Sequence, residues 1–160
     1  MNKVQFQLNA ADCKKLFKPL FQTINNTTVL PILNYIRVYN NGTLQFIATD
    51  LETVTKITME RSIPTNFDIC IDAKCMQKVI ANSIDNIINF SGDNYNVRIK
   101  NGDFLVKVNA EDSMNYPKLP VVENEKSFTI DVKEFFPLVK IALNFISNDD
   151  LRPAMTGLYL

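Results

Sequence analysis

Histidine is absent from the chain, and with it go the pairings most often used to activate a serine or cysteine nucleophile. The three cysteines, Cys13, Cys70 and Cys75, are odd in number, have no zinc-type spacing and have no general-base neighbour in sequence. They read as small core residues of a reducing compartment. Net charge is lacking too, because 17 basic residues balance 17 acidic ones. Nothing in the sum therefore draws the chain to nucleic acid or membrane, although the distribution of charge still can. No apolar run reaches the length of a membrane span, and residues 1–15 lack the apolar core of a signal peptide. The Asn-x-Thr triplets at Asn25, Asn26 and Asn41 are thus expected to stay unglycosylated, and the expected location is cytoplasmic.

What is present is a core and a repeat. With 46% apolar and 21% charged residues, the composition is that of a globular domain with enough apolar surface to fold. Val4, Phe6 and Leu8 alternate with Gln5 and Gln7, the period of a half-buried strand, and Asn9 offers an N-cap oxygen to a helix with Asp12 in its first turn. The design returns at Phe67-x-Ile69-x-Ile71-Asp72 and again at Phe128-x-Ile130-Asp131. Caps about 60 residues apart mark a repeated unit.

In unit one, the helix from about Ala10 carries Cys13, Leu16, Phe17, Leu20 and Ile24 on one face, and Pro19 should kink or split it. Leu30-Pro31-Ile32-Leu33 leads into a strand through Tyr35, Arg37 and Tyr39. Asn40-Asn41-Gly42 turns it into strands over 43–49 and 53–60, with a turn at Asp50-Leu51-Glu52. Unit two repeats the order: a strand from Phe67, a helix over 73–83 burying Met76, Val79 and Ile80, then strands over 87–90, 94–100 and 104–109, the last pair joined at Asn101-Gly102. Residues 110–126, with Pro117 and Pro120, read as an acidic surface linker. A third unit opens with a strand at Phe128. Asp131 and Glu134 start its helix, whose stripe is Phe135, Leu138, Val139, Ala142 and Ile146, and the chain stops within a strand over 156–160. The fold class is α+β, in strand-helix-three-strand units with the helices of two units side by side on one face.

Charge follows the same plan. Lys14, Lys15, Lys18, Lys74, Lys78, Lys133 and Lys140 all fall on the three helices, whose acids are the cap-proximal Asp12 and Glu134. Solvated lysines opposite a buried stripe are ordinary on one helix. Their recurrence through a repeated unit points to phosphate contact without base reading.

The chain resembles the bacterial DNA polymerase III beta subunits, the sliding clamps. The match runs through Lys18-Pro19-Leu20, Leu30-Pro31-Ile32-Leu33, Thr43-Leu44, Thr49-Asp50-Leu51-Glu52, Tyr116-Pro117-Lys118-Leu119-Pro120 and Leu151-Arg152-Pro153-Ala154-Met155-x-Gly157, in the family's order. The resemblance implies the DNA clamp fold, with residues 1–124 as a first clamp domain built from units 1–63 and 64–124. Residues 125–160 would be the opening strand, helix and strand of a second, truncated domain. It implies a processivity factor of DNA replication: a homodimeric ring around double-stranded DNA, bound topologically and without sequence preference. Such a ring tethers DNA polymerase III subunits and the clamp loader, and has no catalytic residue, cofactor or metal. By the same resemblance the helix lysines face DNA, Arg152, Ala154 and Met155 begin a partner-peptide pocket, and Phe104, Val106 and Val108 belong to the subunit interface. The chain departs from the family at Asn25-Asn26-Thr27-Thr28, where a basic residue is usual, and at Asp149-Asp150 in a DNA-contacting loop.

Two other readings compete. An enzyme would have to use Asp50-x-Glu52 or Asp149-Asp150 to hold magnesium, but a carboxylate pair in a turn is ordinarily just solvated. A protein-interaction module of the same fold, with no DNA role, would leave the lysine faces incidental.

Overall fold

The computed structural model describes residues 3–24, 30–60, 63–119, 127–149 and 151–159. The chain divides into two compact units, Met1–Leu119 and Pro120–Leu160.

In the first unit, strand β1 (Val4–Asn9) leads into α1 (Ala10–Leu16) and α2 (Lys18–Thr23), followed by β2 (Tyr35–Asn40), β3 (Leu44–Thr49) and β4 (Val54–Met59). The second half repeats the order with β5 (Phe67–Asp72), α3 (Ala73–Ala81), β6 (Ile87–Gly92), β7 (Asn96–Asn101) and β8 (Phe104–Asp112). All eight strands form one antiparallel sheet in the order β1-β6-β7-β8-β5-β2-β3-β4. The halves do not merely abut. Each gives its first strand to the other, β1 pairing with β6 and β5 with β2.

Alternation along the strands puts one side chain in two into a single core shared by both halves and all three helices. Phe6 sits at its centre. Its ring stacks on Phe90 at 4.5 Å and on Phe67 at 5.5 Å and meets Phe46 edge-on at 6.2 Å. A smaller cluster on the other face joins Ile47, Cys70 and Tyr116, with Ile32, Tyr35 and Leu119 against it. Two of the short segments that resemble clamps, around Ile32 and around Tyr116, thus brace the back of the sheet.

Local chemistry accounts for the turns. Pro19 falls in the first turn of α2, where its missing N–H costs no ladder bond, so the predicted long helix is two helices meeting at Phe17. Each half uses one Asn-Gly hairpin and one aspartate-held turn, in opposite order. Gly42 (φ +91°) turns β2 into β3, and Asp50 Oδ1 accepts from Glu52 and Thr53 N–H between β3 and β4. In the second half Asp93 Oδ1 accepts from Tyr95 and Asn96 N–H between β6 and β7, and Asn101-Gly102 turns β7 into β8. Thr49 Oγ1 accepts from Leu51 N–H and donates to the Thr53 carbonyl, holding Leu51 at φ +80°.

Several expectations differ from the structure. Leu16 is exposed, because the buried stripe runs Cys13-Phe17-Leu20 and leaves it at the margin. By contrast, Pro31–Asn34 leads into β2 at Tyr35 as expected, and does so as a 3-10 turn. Residues 110–112 continue β8, where they pair with β5, and Tyr116 is buried, so the expected linker is anchored at least that far.

The second unit contains α4 (Val132–Ala142), opened by Asp131, whose Oδ1 accepts from Lys133 N–H. The alternating segments at 127–131 and 156–159 form no strand among the described residues, since a strand exists only against a ladder partner. The expected stripe of α4 contains no fully buried side chain.

Candidate nucleic-acid interface

Caps set the helices. Asn9 Oδ1 accepts from the N–H groups of Ala11 and Asp12, and Asp72 Oδ1 from that of Cys75 at 2.6 Å. Both helix starts follow directly on strands that sit in one sheet, so α1–α2 and α3 lie side by side on its core face. Lys14 Nζ reaches the Ser83 carbonyl at 3.2 Å beyond the end of α3. A groove of ≈ 350 Å³ runs between them, lined by Lys14, Lys18, Phe21 and Gln22 on one side and Gln77, Ile80 and Ala81 on the other.

The paired helices bring together Lys14, Lys15, Lys18, Lys74 and Lys78, all exposed, with Asp12 as the exposed acid of the same surface. Among the described residues none of these lysines forms an ion pair; the pairs present are Arg37–Asp68 and Arg152–Asp149. Five ammonium groups without an acidic partner, on three adjoining helices, make a surface able to hold phosphates by charge alone.

The β8 edge offers a different surface. On the side away from β7 the strand pairs with β5 only through Ala110–Asp112, so residues 104–109 keep an open edge among the described residues. Phe104 is 56% exposed and Val106 is half-buried, but Val108 is only 7% exposed and belongs to the chain's own core. Alternation explains the difference: the even-numbered residues of β8 face inward, and only the strand's beginning escapes cover. Leu105 lines a ≈ 750 Å³ cleft beside Gly102, and the 94% exposed Ile84, which the sequence reading did not single out, lines a ≈ 560 Å³ cleft on the same glycine. An isolated isoleucine within polar Ser83–Asn86 was the available signal.

In the second unit Lys133 and Lys140 are exposed on α4, and the Lys140 ammonium lies 5.1 Å from the centre of the Phe136 ring. Arg152, Ala154 and Met155 are exposed in and beside a 3-10 turn over Pro153–Met155. Arg152 approaches Asp149 at 3.8 Å, and Met155 carbonyl accepts from Ser147 N–H. Asp150 and residues 25–28 lie outside the described residues. The carboxylate of Asp50 is engaged by its own turn, and among the described residues no three His, Cys, Asp or Glu side chains gather as metal donors would. Among the described residues no helix is long and apolar enough to cross a membrane.

No protein-family model matches the chain. Similar curated proteins are beta sliding clamps. That of Halalkalibacterium halodurans is 23% identical over 146 residues, covering 85% of this chain and 38% of the relative. That of Chlamydia muridarum is 20% identical over 159 residues, covering 98% and 43%. Among solved structures, the beta subunit from the DNA polymerase of Streptococcus pyogenes aligns with a TM-score of 0.87 at 20% identity, over 96% of this chain and 43% of that one. Caulobacter crescentus pol III beta aligns with a TM-score of 0.87 at 19% identity, over 98% and 43%. The fold is the α+β DNA clamp fold. Beta sliding clamp homology runs over most of the chain, which spans about two-fifths of the length of these relatives.

Proposed function

We propose that this chain serves as part of a sliding clamp, a processivity factor that encloses duplex DNA and tethers the replicative polymerase and other partners without catalysing a reaction. The observation that carries this is the pairing of α1–α2 with α3, which presents five exposed lysines against the one exposed acid Asp12. A closed ring cannot leave DNA sideways, so its phosphate contacts can be weak, and mobile contacts let it slide. Flexible ammonium groups with no base-reading partner suit that task.

On this reading residues 1–124 form a first clamp domain and 125–160 begin a second. Lys133 and Lys140 would be DNA-facing lysines of that second domain, and Arg152, Ala154 and Met155 would begin the pocket for partner peptides. The open edge at Phe104 and Val106 supports a subunit contact there, in a homodimeric ring with DNA polymerase III subunits and the clamp loader as partners. Val108 would support that contact from within the core rather than touch the partner.

The test is binding of labelled linear duplex, followed by anisotropy at about 50 and about 200 mM salt, where phosphate contacts lose affinity steeply. The chain should bind weakly and without sequence preference. Reversing Lys14, Lys18, Lys74 and Lys78 to glutamate should abolish that binding. Unchanged binding by the reversed variant would overturn the assignment and favour an interaction module.

A further inference from the structure

The outward face of one half of the sheet carries a second cationic surface, separate from the helix lysines. The registers of β1, β6, β7 and β8 line side chains up in rows across the strands. One row runs Gln5, Ser91, Arg98, Lys107, and the next runs Gln7, Asn89, Lys100, Leu105. Gln7 Nε2 donates to Asn89 Oδ1 at 2.8 Å. Apart from Leu105, every position in the two rows is an amide, a hydroxyl or a cation, and none is an acid.

Arg98 and Lys107 stand directly opposite each other, a like-charge pair that works against folding. Both are exposed, as is Lys100, and among the described residues none of the three forms an ion pair. Acids lie outside the two rows: Glu111 follows Lys107 and Asn109 on the outward side of β8, opposite Cys70. Asp93, whose carboxylate feels the Arg98 charge, lies in the β6–β7 turn, and its Oδ1 is taken by two N–H groups of that turn. Asp85 lies at the rim of the ≈ 750 Å³ cleft lined by Asn89, Ser91, Arg98, Lys100 and Leu105.

The other half of the same sheet shows a balanced counterpart. There Arg37 is matched by Asp68 through two hydrogen bonds, Tyr116 and Ile32 cover the neighbouring Ile47 and Cys70, and Lys56, opposite Ile47, stands as a single exposed cation. Within one internally repeated fold, one back face pairs its arginine and is partly covered, while the other gathers three exposed cations in two adjacent rows.

We propose that the outward face of β1, β6, β7 and β8 binds single-stranded nucleic acid through its phosphates. Arg98, Lys100 and Lys107 supply the charge, and Gln5, Ser91 and Asn89 supply neutral hydrogen bonds. Cations mixed with amides and a hydroxyl are the donor set that phosphate and sugar oxygens accept from. No helix projects from this face to enter a duplex groove. The inference does not depend on the role of the helix lysines.

The experiment measures binding of labelled oligo-dT to the 160-residue chain by anisotropy across a salt series. The variant Arg98→Gln/Lys100→Gln/Lys107→Gln should bind at least about tenfold more weakly, with a log K versus log salt slope shallower by about 2, three contacts at ~0.7 each. Reversing the helix lysines should leave most of the binding. Lys107→Gln alone relieves the like-charge pair, so it should melt no lower than the wild type while losing part of the affinity. Oligo-dT affinity of the triple variant within twofold of the wild type would overturn the proposal. So would a lower melting temperature for Lys107→Gln, or the absence of wild-type binding at low salt. Displacement by polyglutamate or by duplex as effective as by unlabelled oligo-dT would do the same, assigning the face to acidic peptide or to double strands.

Discussion

Arg37 grips Asp68 with two parallel hydrogen bonds, Nε to Oδ1 at 2.8 Å and Nη2 to Oδ2 at 2.6 Å, across the β2–β5 ladder that joins the two halves of the sheet. The Asp68 hydrogen bond holds the guanidinium pKa above its usual value, and the same guanidinium lies 5.9 Å from the Tyr39 ring centre. Both partners are about one-quarter exposed, so solvent screens the pair. Asp68→Asn should cost about 1 kcal/mol, less in high salt. A double-mutant cycle with Arg37→Gln, read by urea denaturation at two ionic strengths, checks the coupling.

Phe6 touches rings from β3, β5 and β6, so its loss should weaken both halves at once. Phe6→Ala should cost about 3–5 kcal/mol, and Phe6→Leu less than half of that. Unfolding of residues 1–119 should remain one transition in both variants when followed by tyrosine fluorescence and far-ultraviolet circular dichroism. Two separate transitions would show that the halves are less tightly joined than the shared core requires.

Thiol chemistry should follow burial. Burial, aided by the nearby Asp68 charge, pushes the Cys70 thiol up to about 12, and Cys13 is equally hidden from solvent. Cys75 is half-buried, and its thiol is raised by burial and by Asp72. Since the thiolate is the nucleophile, an aromatic disulfide reagent near neutral pH should modify Cys75 slowly and leave Cys13 and Cys70 untouched until denaturant is added. Rapid native reaction of Cys70 would contradict its placement beneath Tyr116.

Asp50 and Asp93 each accept two turn N–H bonds, which hold both carboxyls below the ordinary value of 3.8. A folded-state pKa below the unfolded one gives stability that is complete above 3.8 and is lost as pH falls through the depressed folded values. Melting temperature should therefore drop with acidification through that window. The Asp50→Asn/Asp93→Asn variant, which keeps neutral acceptors in both turns, should show a shallower drop there.

Much of this fold was legible because its signals are local. Asn9, Asp72 and Asp131 announce helix starts, Pro19 announces a break, and Asn-Gly announces hairpins; each needs only a few neighbours to act. The exchange of β1 and β5 between halves was not legible, since alternation tells which side of a strand is apolar but not which strand lies beside it. The lysine surface followed from helix phase, so its members could be named in advance. Val108 could not be separated from Phe104, because the two share a strand face and differ only in what covers each end. The row holding Arg98 and Lys107 stayed hidden for the same reason as the strand exchange: it exists only once three ladders are in register.

The swapped first strands also constrain how the molecule is born. During synthesis β1 leaves the ribosome long before its neighbour β6, about 80 residues behind it, so the first half must wait with an apolar ribbon unsheltered. Sequestration of Val4, Phe6 and Leu8 is thus deferred to a late closing step, and pairing over such separations is slow compared with forming a helix.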